Sequence, residues 1–115
     1  MDEKIIYNLC RKPDWDAALR RGEYRGSADD SRDGFIHFST TAQIAESAAK
    51  HRAGIADLLL LTVDACDLGA ELRWEKSRGG QLFPHLYAPL KVTAVKRVDA
   101  LPLGPGGLHV FPKLA

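Results

Sequence analysis

The 115-residue chain lacks most of the features that assign a function at sight. It has two cysteines, Cys10 and Cys66, and no C-x-x-C pair. That excludes a zinc ribbon and a thioredoxin-like motif. Two distant thiols in a reducing compartment read as small core residues, not as a disulfide. No long apolar run occurs; the longest, Leu58 to Leu61, is far short of the roughly 20 residues that span a bilayer. No sign of charge dominates, with 16 Lys and Arg against 15 Asp and Glu. Hence no strong field draws nucleic acid or an anionic membrane. The start, Met1-Asp2-Glu3-Lys4, has neither the basic nor the apolar region of a signal peptide, so a cytoplasmic location is expected. Also absent are the glycine-rich phosphate cradles G-x-G-x-x-G and G-x-x-x-x-G-K-[ST], the G-x-S-x-G elbow and H-E-x-x-H.

What is present is an ordinary globular composition, 45% apolar and 27% charged. A chain of this length closes one core without metal or disulfide staples, so one domain over residues 1–115 is expected. Ile5 to Leu9 is β-branched and aromatic and reads as a strand. Pro13 to Arg21 reads as a helix: proline suits its first position, Asp14 and Asp16 complement the positive end, Arg20 and Arg21 the negative end, and Gly22 stops it. Trp15, Ala18 and Leu19 are spaced to form its buried face. Tyr24 to Asp33 is polar and reads as a surface loop. Gly34 to Phe38 reads as a second strand. Thr40 with Gln43 forms a capping box that starts a helix from Thr41 to Arg52, ended by Gly54.

Asp57 to Asp64 is apolar enough for a central strand buried on both faces. Cys66 to Gly69 is a turn, Leu72 to Glu75 a strand, and Ser77 to Gly80 a flexible connection. Pro84 and Pro89 make Phe83 to Leu90 a rigid, irregular segment. Val92 to Val98 alternates as a half-buried strand. The tail, residues 102–115, is rich in proline and glycine, and no periodicity sets its path. The order β-α-β-α followed by several strands, with no helix in the second half, is an α+β class.

Three places carry candidate chemistry. His37 ends an apolar strand before a helix start, where Ser39, Thr40 and free helix N–H groups gather around a titratable ring. Such a corner suits an anion or a sugar hydroxyl; alternatively His37 bonds a neighbouring carbonyl and the hydroxyls merely cap. His85 and Tyr87 lie on the proline-fixed segment, as a ligand rim would; alternatively Phe83, Leu86 and Tyr87 pack and His85 faces water. Glu75 ends a strand before a glycine turn, where a carboxylate can accept from a sugar or steady a cationic transition state; alternatively it pairs with Arg73 or Lys76. A metal site from His37, Glu75 and His85 has no local ligand spacing to support it. His51, at a helix end beside Lys50 and Arg52, reads as structural. Arg25 and Arg32 read as solvated loop charges that can also clamp a phosphate. His109 carries no assignment.

Three segments together resemble the domain-of-unknown-function 952 family. They are Ile6-Tyr7-Asn8-Leu9 with the Trp15 helix, Gly34-Phe35-Ile36-His37-Phe38-Ser39-Thr40, and Leu72-Arg73-Trp74-Glu75 with Leu82-Phe83-Pro84-His85-Leu86-Tyr87-Ala88-Pro89-Leu90. The resemblance runs from about Ile5 to about Val98. It implies a mixed fold similar to that of the ADP-ribosyltransferases, with small antiparallel sheets flanking a cleft that takes NAD. Ile36-His37-Phe38-Ser39 is also similar to the histidine strand of the RNA 2′-phosphotransferases. By that likeness His37 holds a ribose hydroxyl, with Tyr7, Asn8, Ser39, Thr40 and Tyr87 as further ligand residues. Glu75 or His85 takes the catalytic corner. Asn8 stands where family members commonly carry histidine; it donates and accepts a hydrogen bond but does not titrate. The chain also lacks the glutamate-x-glutamate signature of arginine-modifying transferases.

Three readings follow. One is an enzyme acting on NAD or a phosphorylated ribose, with NAD as substrate and no resident cofactor implied. Another is a non-catalytic binding module for a nucleotide or similar metabolite. The last is an interaction domain without a ligand, whose motifs are core and turn devices. The expected partner under the first two is a small molecule carrying ribose or phosphate, not a membrane or a nucleic acid. The number of subunits has no signal in the sequence.

Overall fold

The computed structural model describes residues 4–114. The acidic start at Met1-Asp2-Glu3 and the final Ala115 lie outside the described residues. Strand β1 (Ile5–Arg11) leads into helix α1 (Lys12–Arg21), with proline in its first turn and Gly22 closing it at φ 89°. The Gly22 N–H bonds the Ala18 carbonyl at 2.7 Å, a left-handed cap that glycine adopts without strain. Next come β2 (Glu23–Tyr24), α2 (Ala28–Asp33), β3 (Ile36–His37), β4 (Ser39–Thr40) and α3 (Ile44–His51). After α3 the chain is strands and single helical turns: β5 (Leu58–Asp64), β6 (Leu72–Lys76), β7 (Leu82–Leu86), β8 (Leu90–Lys91) and β9 (Val95–Ala100).

These strands form small sheets, all antiparallel. The largest has the order β4-β1-β5-β9, a second β3-β7-β6, and a pair joins β2 to β8. Strand β5 lies inside the largest sheet, and its alternate residues feed two cores. Leu61 and Val63 join Ile6, Cys10, Trp15 and Ala18 on one face. Leu58 and Leu60 join Tyr7, Ile44 and Leu101 on the other. A strand of four consecutive leucines is stable only where both faces are covered, as the α1 side and the α3 side cover it here.

The two sheets part at Phe38. Ser39 and Thr40 pair with β1, opposite Tyr7 and Ile6. Ile36 and His37 pair with β7 instead, opposite Leu86 and His85. One short stretch of chain thus belongs to two sheets, and a cleft opens between them. Pro84 sits mid-strand in β7 at this same level. Its carbonyl accepts from the Phe38 N–H at 3.0 Å. Its missing N–H therefore faces the interruption between β3 and β4, where the ladder is already broken.

Several expectations are corrected. Leu19 is 55% exposed and does not share the buried face of Trp15 and Ala18. At about 100° per residue it lies past Trp15 on the side away from Ala18, outside the narrow stripe that meets the sheet. Replacing Leu19 by alanine should change the unfolding free energy by less than about 0.5 kcal/mol, measured by urea denaturation. A larger loss would mean the exposed side chain is covered in solution. The polar stretch Tyr24 to Asp33 is not a loop: Tyr24 is buried and Ala28–Asp33 is helical. The second strand is two residues long, because Gly34 is the left-handed cap of α2, its N–H bonding the Asp30 carbonyl.

Helix α3 begins at Ile44, not Thr41, because Thr40 is committed to the sheet and a turn intervenes. The Gln43 side chain still accepts from the Thr40 N–H, at 3.1 Å. The proline-flanked segment contains a true strand, β7, since neither neighbour needs the Pro84 donor. Val92–Ala94 is a helical turn, and the alternating strand starts at Val95 and runs on to Ala100, with a register shift at Thr62/Val63. Cys66 is exposed, so only Cys10 is a core thiol, and burial pushes the Cys10 thiol up to about 12. The tail folds back over the α3–β5 connection: Gly107 accepts from the Gly54 N–H, and Phe111 and Leu114 pack on the Tyr7 core. No helix among the described residues is long and apolar enough to cross a membrane.

Candidate functional site

The cleft at the parting of the sheets has a volume of about 450 Å³. From β1 come Tyr7 and Asn8; from the strand that crosses between sheets, His37 and Ser39; from β7, Phe83 and His85. Register explains their meeting. His37 and His85 are direct cross-strand partners, so their rings project from one face, 5.5 Å apart and edge-on. Phe35 stacks on the His85 ring at 4.0 Å and restricts its rotation.

His37 is gripped by helix α2. Its Nδ1 meets Asp30 Oδ1 at 2.5 Å and its Nε2 meets Asp33 Oδ2 at 3.1 Å. Asp30 is only 4% exposed. Its carboxylate accepts from the Ser27 N–H at 2.8 Å and the His37 N–H at 3.2 Å, while the Ser27 hydroxyl accepts from the Asp30 N–H. One carboxylate therefore caps a helix and orients a histidine. The hydrogen bond to Asp30, joined by the Asp33 charge and opposed by partial burial, raises the His37 pKa above its ordinary value of 6.5.

His85 has a carboxylate of its own. Its Nδ1 lies 2.8 Å from Glu75 Oε1, and the same oxygen accepts from the Tyr87 hydroxyl at 2.7 Å. The Tyr87 hydroxyl and the His85 ring hold the Glu75 carboxyl below its usual range, so it is ionised at neutral pH. The Arg73 guanidinium stands 5.0 Å over the Tyr87 ring.

Asn8 forms the floor where β4 stops short along β1. It is 3% exposed. Its Nδ2 donates to the His37 carbonyl at 2.8 Å, which stitches the gap between the sheets. Its Oδ1 is buried and has no hydrogen-bond partner among the described residues. Beside it, the Ser39 and Ser47 hydroxyls bond each other at 2.8 Å.

Tyr7, Asn8, His37, Ser39 and His85 thus line one cleft. Glu75, Thr40 and Tyr87 do not line it. Glu75 stands behind His85 and bonds His85 and Tyr87, with the Arg73 charge acting on it from nearby, and Thr40 is buried in β4. Phe83 and Leu86 are buried as the packing alternative has it, but so is His85, while Tyr87 is exposed. His37 bonds carboxylates, not a carbonyl through its ring. His51 and Arg52 also line the cleft, although His51 reads from sequence as a helix-end charge. Arg52 pairs with Asp29 at 3.3 Å and holds that carboxyl low. Arg32 reaches the cleft but is paired with Asp29 and Asp33. Arg25 pairs with Glu23, and His109 Nε2 meets the Ile55 carbonyl at 2.7 Å. No group of three His, Cys, Asp or Glu among the described residues is placed to hold a metal ion.

The carboxylates of α2 are the part that sequence reading missed. A signal existed: Ser27-Ala28-Asp29-Asp30 has the spacing of a capping box, a serine answered three residues on by an acid. The polarity of the stretch masked it.

The family model described as "Protein of unknown function (DUF952)" matches residues 9–98. The chain belongs to this family. Solved structures of the DUF952 chain's relative CC0527 from Caulobacter crescentus share the fold. Its X-ray structure is 48% identical, covers 92% of this chain and 93% of that one, and superposes with a TM-score of 0.90. Its solution NMR structure is 49% identical, covers 90% of each chain and superposes with a TM-score of 0.81. No curated protein matches the chain.

Proposed function

We propose that the cleft of this DUF952 protein binds a small ligand that presents a ribose hydroxyl and a phosphate, in the manner of a nucleotide or NAD fragment. The observation that carries this reading is the buried Oδ1 of the cleft-lining Asn8, which has no partner among the described residues. A buried acceptor left without a donor costs about 1–3 kcal/mol. A ligand hydroxyl supplies the missing donor. The Ser39–Ser47 hydroxyl pair adds polar contacts suited to a sugar, and the Arg52 guanidinium in the lining adds one suited to an anion. The likeness to ADP-ribosyltransferases that the motifs imply points to the same ligand class.

Binding is favoured over sugar-bond cleavage by the position of Glu75. Cleavage through an oxocarbenium-like sugar needs a carboxylate facing the cleft. Glu75 stands off the lining, behind His85.

The test is a thermal-shift series of wild type and Asn8→Ala against NAD, ADP-ribose and 2′-phosphorylated ribose compounds. A ligand at a hundred times its dissociation constant stabilises the wild type by about 2.7 kcal/mol. In Asn8→Ala the same concentration should give a clearly smaller shift. No shift of the wild type with any compound overturns the reading.

A further inference from the structure

The acceptor on Asn8 has a counterpart across the cleft. The His85 ring is fixed by three contacts: Glu75 on Nδ1, Phe35 stacked on its face, and the His37 ring at its edge. Glu75 is acceptor-only when ionised, so in the neutral ring it selects the tautomer with the proton on Nδ1. The lone pair then resides on Nε2. His85 lines the cleft and Glu75 does not, so the ring edge away from Nδ1 is the one left for the cleft. Among the described residues no side chain or carbonyl bonds Nε2. The residue as a whole is only 5% exposed, and the cleft is the space it lines.

We propose that His85 Nε2 is the second hydroxyl-accepting group of the cleft, and that Glu75 is the positioning residue that aims it. The proposal rests on the ligand reading given above and narrows it: the ligand presents at least two donors, one to Asn8 Oδ1 and one to His85 Nε2. The paired hydroxyls of a ribose meet that demand; a phosphate or carboxylate alone, which only accepts, does not. The neighbouring His37 serves the opposite polarity. Its nitrogens are both turned to carboxylates, so it is a donor on each side. Two adjacent histidines of one sheet face are thereby differentiated by their partners, one as donor and cation, the other as acceptor.

The test uses long-range 1H–15N correlation of the histidine ring nitrogens in the full chain. Spectra are taken at a pH where the His85 ring is neutral, for wild type, Glu75→Ala and Tyr87→Phe. Wild type and Tyr87→Phe should carry the His85 proton on Nδ1, because Glu75 remains in both. Glu75→Ala should populate both tautomers. Adding ADP-ribose should move the Nε2 resonance and leave Nδ1 nearly in place. Calorimetry should show ADP-ribose affinity falling about threefold to tenfold in Glu75→Ala, the worth of one oriented hydrogen bond. A purely structural Glu75 would change melting temperature without setting the tautomer. A wild-type ring protonated at Nε2 overturns the proposal with no ligand involved. Unchanged ADP-ribose affinity in Glu75→Ala overturns it as well. If wild type shows the expected tautomer but binds no ADP-ribose, the ligand reading has failed and this role falls with it, a result distinct from a wrong tautomer.

Discussion

Asp30→Ala should lose about 3 kcal/mol of unfolding free energy, the combined effect of losing a helix cap and of leaving buried donors without their acceptor. The carboxylate is nearly inaccessible, and three donors converge on it: the Ser27 N–H, the His37 N–H and the His37 ring. Alanine leaves all three without their acceptor. It also dismantles the capping box that starts α2, a six-residue helix too short to persist by propensity. Gly26 is part of the same device. A Cβ there, at φ +100°, would fall 2.7 Å from the Asp30 Cβ, so only glycine lets the chain pass this close.

The loss should depend on pH in a defined direction. His37 has a raised folded-state pKa, chiefly through Asp30. Its contribution is therefore fully present below the ordinary value of 6.5 and fades as pH rises through the raised one. Urea titrations at pH 6 and at pH 9 should show a wider gap between wild type and Asp30→Ala at pH 6. The change in the gap is modest, because the His37 side chain is 41% exposed and water screens the pair. A gap that does not move with pH would show that the capping bonds carry the whole effect.

Leu61→Ala should cost about 3–4 kcal/mol, within the range for leucine truncation in a rigid core. Leu61 is 0% exposed in the interior strand β5 and pairs with Asn8 on one side and Val98 on the other. Its neighbours in the cluster include Trp15 and Ala18 from α1 and Phe38 from the crossing between β3 and β4. They cannot close together around a deleted side chain without moving a helix or breaking the ladder. The measurement is chemical denaturation with the slope compared between variants. A lower midpoint at an unchanged slope is the expected result. A loss under 1 kcal/mol would mean the core collapses into the space. Because Asn8 is the cross-strand neighbour of Leu61, the substitution also tests the cleft floor: ligand affinity should weaken even at temperatures where the chain is folded.

Local chemistry was legible wherever a pattern of one element decided the outcome. The apolar run of β5 requires two covered faces whatever surrounds it, so its interior place in a sheet follows. Helix α1 is written in its proline, its charges and Gly22. The motif Ile36-His37-Phe38-Ser39 and the segment around His85 stood out as candidates because each sets a titratable ring among apolar residues. Spacing along the chain said nothing, however, about the partners of those groups. That Glu75 stands behind His85 follows from the β6–β7 register, in which Arg73 faces His85 and Glu75 faces Phe83. A shift by one residue would have sent the carboxylate to the other face.

The division has a physical cause. Periodicity, caps and turn residues act through bonds within a few positions, so composition and spacing by themselves determined β1, α1, β5, the turn chemistry and the α+β class. The change of sheet at Phe38, the cleft it opens and the two carboxylate–histidine pairs join residues 7 to 10 positions apart in sequence, or farther, across separate elements. Their geometry depends on strand register and on a short polar helix whose stability comes from the very carboxylate that orients His37. Only the tertiary structure decided these, because each contact forms after the elements have packed.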